Sequence, residues 1–209
     1  MLEVTGLKMD LKNREKWVAI IGSRKANEKE LQMAYAFGRR CAKDGKIVVS
    51  GLALGIDSAA HKGAIDAGGK TIALVSTPSS MPIYPAENNL LAKNIEQNGC
   101  IIYPYKKKPL FVKNGISTKA KRLIERSILN AYTCPNIVIV KESSSMIIGG
   151  TKWAANYGKE IGHSVYRLGT DKKFYKDPES EESRILWISE MDIKQVLLDM
   201  DNYNKELLE

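Results

Sequence analysis

The sequence predicts an α/β fold, an open, mostly parallel Rossmann-like sheet with helices on both faces. Two observations carry that expectation. The run KIVVSGLALGIDSAAHKGAIDAGGKTIALV, residues 46–75, begins and ends in short apolar, β-branched segments and has a helical stretch between them, which makes a βαβ unit. Further short apolar runs at 17–21, 137–140 and 164–168 are separated by helical periodicity rather than hairpin turns, as in a parallel sheet buried on both faces.

In chain order, residues 17–21 (WVAII) form a buried-type strand that stops at Gly22-Ser23-Arg24, a tight turn with a cation directly after it. A helix over 28–43 follows, with an apolar stripe at Leu31, Ala34, Tyr35, Gly38 and Cys41, and Asp44-Gly45 ends it. The next strand, 47–49, stops at Ser50-Gly51. The helix that opens near Ile56 has a small-residue face of Ala60, Ala64 and Ala67 that can lie close on a sheet, while Asp57 and His61, at i and i+4, share another face near the loop. A strand over 72–75 leads into STPSSMPIYP, whose three prolines make a rigid loop. A short helix over 88–98 and a short strand over 100–102 come next.

The helix expected over 118–131 buries Ala120, Leu123, Ile124, Ser127, Ile128 and Ala131, which leaves Lys119, Arg122 and Arg126 as a stripe on the opposite side. After the strand at 137–140, Gly149-Gly150-Thr151 opens a helix rich in small residues, and 164–168 is the last strand of the sheet. Residues 1–168 are thus read as the Rossmann-like domain. Residues 169–209 are read as a charged linker or loop followed by an amphipathic helix marked by Ile193, Val196, Leu197, Met200 and Leu207, which docks on the domain or on a second subunit.

The 209 residues suffice for one large domain with a proper core. The formal net charge of +8 is unevenly spread: residues 105–126 hold eight Lys or Arg against one acid, Glu125, and supply nearly all of the excess. A polyanionic partner is the inference. The N-terminal residues contain no apolar run of signal-peptide length, and no segment approaches a bilayer span, so a cytoplasmic protein without a membrane partner is expected. Cys41, Cys100 and Cys134 are widely spaced and read as reduced core residues; with two histidines in the chain, no metal is expected. GxGxxG is absent after 17–21, and no GxxxxGK[ST] or GxSxG occurs, so neither a nicotinamide cofactor, a hydrolysed nucleotide nor a serine nucleophile is expected. No catalytic residue and no cofactor are assigned.

What remains is anion binding. Three glycine-containing loops at the carboxyl ends of parallel strands converge on one crevice, where backbone N–H groups and helix dipoles favour phosphate. The expected phosphate-binding set is Gly22, Ser23 and Arg24; Ser50, Gly51 and Gly55; Asp57, His61 and Lys62; and Gly149, Gly150 and Thr151. Lys119, Arg122 and Arg126 would extend the track. Roughly four phosphates neutralised on a single strand give a slope of log K against log salt near −3, with little dependence on base sequence.

The runs VAIIGSRKAN (18–27), VVSGLALGIDSAAHKGAIDAGGKTIALV (48–75) and YPAENNLL (84–91) resemble the DNA-processing protein A family, also called Smf, whose Rossmann-like domain shows GSR, SGxAxGID, AAH, GGxTIAV and YPxxN in this order. The likeness extends to about 167 through GGTKWAANYGKEIGH, with Gly149, Ala154 and His163 where the family has Ser, Thr and Arg. The family's SEYP is here Ile102-Tyr103-Pro104-Tyr105, its RNRxIAGLS helix is represented by Arg126-Ser127, and its winged-helix and N-terminal helical modules have no counterpart in the sequence. The resemblance implies a single-stranded DNA-binding protein that hands DNA to a RecA-type recombinase, often as a homodimer. Two other readings are a binder of a nucleotide-derived small molecule and an enzyme resembling the cytokinin-activating phosphoribohydrolases. The latter use PGGxGTxxE, and here the position of the Glu holds Ala154.

Overall fold

A computed structural model of the chain describes residues 2–107, 118–142, 145–169, 171–177 and 193–203; of residues 118, 119 and 142 it describes the backbone only. The strands are β1 (Glu3–Gly6), β2 (Trp17–Gly22), β3 (Ile47–Ser50), β4 (Thr71–Leu74), β5 (Gly99–Tyr103), β6 (Asn136–Glu142), β7 (Ser164–Leu168) and β8 (Phe174–Lys176). They form one sheet in the order β1-β5-β4-β3-β2-β6-β7-β8. The six inner strands are parallel, and β1 and β8 close the two edges antiparallel. This is the predicted fold class. The edge strands are additions: Phe174–Lys176 lies in the stretch read as linker, yet pairs with β7 from Leu168↔Phe174 to Tyr166↔Lys176.

The helices are α1 (Glu28–Lys43), α2 (Ile56–Asp66), α3 (Asn89–Asn98), α4 (Thr118–Thr133), α5 (Gly149–Glu160) and α6 (Ile193–Asn202). Strand β2 shows how the layers are set. Its residues alternate across the pleat, so Val18 and Ile20 join the core under α1 and α2, while Trp17, Ala19 and Ile21 join the core under α4, α5 and α6. Each fully buried large aliphatic in these layers contributes about 1.5–3 kcal/mol relative to exposure. On the first face α1 and α2 approach closely because Gly38 lies against the Ala60 carbonyl and Gly63 against that of Tyr35, where a Cβ would collide. Helix α3 completes that face with Leu91, Ala92 and Ile95 on Ile101 and Tyr103. Helix α6 docks on the domain itself, with Val196 and Met200 in the main core and Asp201 paired to Arg14 at 2.8 Å.

The connection from β5 through α4 to β6 decides where a ligand can sit. From β2 the chain steps outward through β3 and β4 to β5, and α4 then carries it back to lay β6 on the other side of β2. The loops leaving β2 and β6 therefore diverge, and a crevice opens between their carboxyl ends.

Candidate functional site

A cavity of about 670 Å³ fills that crevice. Its rim is Gly22, Ser23, Arg24 and Lys25 from the loop after β2; one wall is the start of α5, Gly149 to Thr151 with Ile148; another is the α4 face of Leu123, Ile124, Ser127 and Asn130. Asp57 and Arg126 lie on its floor. Arg24 and Lys25 are exposed, and their charged ends make no ion pair with the described residues. A second depression, of about 620 Å³, shares Arg24 and Leu54 with the first and runs over the starts of α1 and α2, where Gly55 and exposed Lys62 line it.

The three expected anion cradles differ once hydrogen bonds are assigned. Helix α1 closes its own N-terminus with a capping box, since Asn27 accepts from the Glu30 amide at 2.9 Å and Glu30 accepts from the Asn27 amide at 3.0 Å. The loop after β3 is also filled from within. Asp57 Oδ2 accepts from the amides of Gly51 and Ala53, both at 3.2 Å, and the Ile56 amide donates to the Ser23 carbonyl at 3.3 Å. Helix α5, like α2 at Gly55, begins without a side-chain cap, at Ile148, and its first residues line the cavity.

The loop after β3 is rigid for reasons written in the sequence. Gly55 has φ +79° and sits against the Ser23 carbonyl, a conformation and a distance that suit glycine. Leu52 takes φ 57° while fully buried, which costs about 1–2 kcal/mol for a residue with a Cβ. Asn88, the Asn of the YPxxN run, holds it there. Its Nδ2 donates to the Leu52 carbonyl and to Ser58 Oγ, each at 2.9 Å, and Ser58 in turn donates to the Ala53 carbonyl at 2.6 Å.

Two expectations are corrected here. Arg122 and Arg126 are not an exposed stripe: both are buried, whereas Ala120, assigned to the buried face, is exposed. Helix α4 is rotated because buried partners draw its polar residues inward. Arg122 lies over the Tyr105 ring, 4.4 Å from its centre, and donates to the Lys107 carbonyl at 2.7 Å, while Tyr105 donates to Glu125 at 2.8 Å. Arg126 Nη1 donates to the Gly51 carbonyl, and its Nη2 stands 3.7 Å from Asp57 Oδ2. The Arg126 guanidinium also fills the space that a Cβ on Gly51 would need. Burial raises the Asp57 carboxyl above its ordinary range and lowers Arg126, and the pair opposes both shifts. The side chain of Lys119 lies outside the described residues.

His61 is the second correction. It does not reach the crevice; it is sealed in the core, its Nδ1 2.7 Å from Thr71 Oγ1. Thr71 donates its own proton to the Val48 carbonyl at 2.8 Å, so Nδ1 carries the ring hydrogen and donates to Thr71. Nε2 is left buried without a partner among the described residues. Burial first, and the Arg126 charge second, push the ring down to about 3, so it is neutral at ordinary pH.

Of the expected set, Gly22, Ser23, Arg24, Asp57, Arg126, Gly149, Gly150 and Thr151 come together around one cavity. Gly55 and Lys62 lie in the neighbouring depression; Ser50 and Gly51 are buried behind the floor, with Ser50 Oγ donating to the Ile20 carbonyl at 2.6 Å. Sequence reasoning missed Asn130. It lines the cavity and is 1% exposed, and neither its Nδ2 nor its Oδ1 has a hydrogen-bond partner among the described residues. A signal was available, because Leu123, Ser127 and Asn130 are spaced i, i+4, i+7 and share one helical face. Among the described residues no cluster of His, Cys, Asp or Glu is placed to hold a metal, and no helix is long and apolar enough to cross a membrane.

With this geometry in place, the chain can be set beside known proteins. Residues 2–183 match the family described as DNA recombination-mediator protein A. Protein Smf of Synechocystis sp. is 35% identical over 156 residues, covering 72% of this chain and 35% of that protein. The chain spans about a third of the length of the curated relatives it matches first. Among solved structures, DNA processing protein A of Helicobacter pylori, described for its single-stranded DNA binding mode, superposes with a TM-score of 0.65 at 24% identity, over 99% of this chain and 86% of that one. DNA processing protein A of Streptococcus pneumoniae gives the same TM-score at 22% identity, over 99% of this chain and 60% of that one.

Proposed function

We propose that this chain, which belongs to the DNA recombination-mediator protein A family, binds single-stranded DNA at the crevice between β2 and β6, with phosphates at the rim and one base inside the cavity. Arg24 and Lys25 present exposed cations at the mouth, and the uncapped start of α5 adds the positive end of a helix dipole. The observation that carries the reading is Asn130. A buried amide with both of its polar atoms unpartnered is costly unless something completes it, and a base edge offers a matching donor and acceptor. Leu54, Leu123, Ile124 and Ile148 supply apolar surface for the base faces. Binding without catalysis, a cytoplasmic setting, delivery of the strand to a RecA-type recombinase and pairing with a second copy of the chain belong to the same proposal.

A second reading is favoured by the same cavity, whose volume is in the range that holds a small molecule: a nucleotide-derived ligand would satisfy Asn130 equally well. Fluorescence anisotropy with a labelled oligodeoxynucleotide, beside calorimetry with mononucleotides, separates the two. On the strand reading Arg24→Ala and Asn130→Leu each weaken the oligonucleotide by about tenfold, the scale of one lost charge-assisted or buried hydrogen bond. A mononucleotide that binds while the oligonucleotide does not would favour the small molecule.

A further inference from the structure

We propose that Asp57 determines what the cavity admits: it occupies the amide cradle after β3 as an internal anion, cancels the charge of Arg126, and so keeps phosphate out of the floor. Four contacts argue for this. Two backbone N–H groups, of Gly51 and Ala53, point at one carboxylate oxygen of Asp57, the Arg126 guanidinium faces the same oxygen, and Arg126 is tied down through the Gly51 carbonyl. Two amides and a guanidinium converging on one point are the donor set that a phosphate oxygen would take in a strand-to-helix loop. Here that point belongs to the protein.

The consequence is a division of charge across a single site. Asp57 and Arg126 are 4% and 6% exposed, and together they contribute no net charge to the floor. Among the described residues, the remaining floor and wall groups are uncharged: the Asn130 amide, the Ser127 and Thr151 hydroxyls, and the apolar side chains of α4. The exposed cations, Arg24 and Lys25, stand at the mouth. An anion entering the floor would meet the Asp57 carboxylate, which already takes the Gly51 and Ala53 amides and faces Arg126 Nη2, so that the donors left there are Arg126 Nε and the neutral Asn130 amide, whereas an uncharged ligand group meets no such repulsion. Asp57 is therefore a specificity-determining residue that acts by exclusion, and it rests on the proposed binding of a strand in this crevice only for the identity of the ligand.

The test uses the full chain and inorganic phosphate. Wild-type protein should show no saturable phosphate binding in calorimetry that depends on the floor. Asp57→Asn keeps the shape, leaves Arg126 without its counter-charge and opens one cradle amide, and it should bind phosphate at least about tenfold more tightly than wild type. The double variant Asp57→Asn with Arg126→Gln is neutral again and should lose that gain. A folded Asp57→Asn protein with no gain overturns the proposal. Because loss of one partner of a buried pair can prevent folding, a second measurement uses the wild-type protein: in amide NMR the Gly51 and Ala53 signals should stay in place during a phosphate titration, and a saturable shift of both would overturn the proposal. Failure of wild-type protein to bind any oligonucleotide would remove the proposed function instead, and both phosphate measurements would still decide the role of Asp57.

Discussion

His61 yields a prediction about stability whose size follows from its surroundings. The folded ring titrates at about 3 against an ordinary value of 6.5, because protonation would place a charge in a sealed core where Nε2 has no acceptor. A ring whose folded pKa lies below its unfolded one takes up its proton more readily in the unfolded chain. Its contribution to stability is therefore complete above about pH 6.5 and is lost as pH falls toward 3. At about pH 5 the loss is about 2 kcal/mol, and it approaches 4–5 kcal/mol at the acid end of the window, at about 1.4 kcal/mol per unit. Urea unfolding of wild type and His61→Gln at pH 7 and pH 5 measures it, since the difference between the two proteins removes every other titrating group. Wild type should exceed the variant by about 2 kcal/mol more at pH 7 than at pH 5. Parallel pH dependences for the two proteins would refute the buried, neutral ring.

Other consequences can be checked on the same preparations. Arg126→Met strands the Asp57 carboxylate in the floor and should cost about 3–5 kcal/mol in denaturant unfolding, the scale of a buried pair that loses one partner; an exposed track residue would cost almost nothing. Asp201→Ala removes the contact from α6 to Arg14, a partly exposed pair, and should change stability by no more than about 1 kcal/mol. Nucleoside monophosphates should be left intact on incubation with the protein, as Ala154 stands where the phosphoribohydrolase motif has its Glu; a base-release signal abolished by a crevice substitution would contradict the non-catalytic reading.

The sheet and its helices were legible because parallel strands buried on both faces leave continuous apolar runs, and the glycine turns after β2, β3 and α5's start mark the switch from strand to helix. Edge strands β1 and β8 escaped, since three or four residues, half exposed, leave no pattern to count. The site was legible at the level of loops and not of hydrogen bonds. Periodicity placed Arg122 and Arg126 in solvent, but Tyr105, Lys107, Gly51 and Asp57 hold them inside, and those partners lie 15 or more residues away in the chain. Spacing put Asp57 and His61 on one helix face; the fold sends the carboxylate to the crevice and the imidazole to Thr71.

Salt dependence of oligonucleotide binding tests the central claim most directly. With Arg122 and Arg126 buried, the exposed cations along the two adjoining depressions, among the described residues, are Arg24, Lys25 and Lys62. At about 0.7 per phosphate neutralised, three contacts give a slope of log K against log salt of about −2, shallower than the value near −3 expected from an exposed stripe. Arg24→Ala should reduce it by about 0.7. A flat response, or an oligonucleotide that fails to bind at low salt, would contradict a strand held at this crevice by its phosphates.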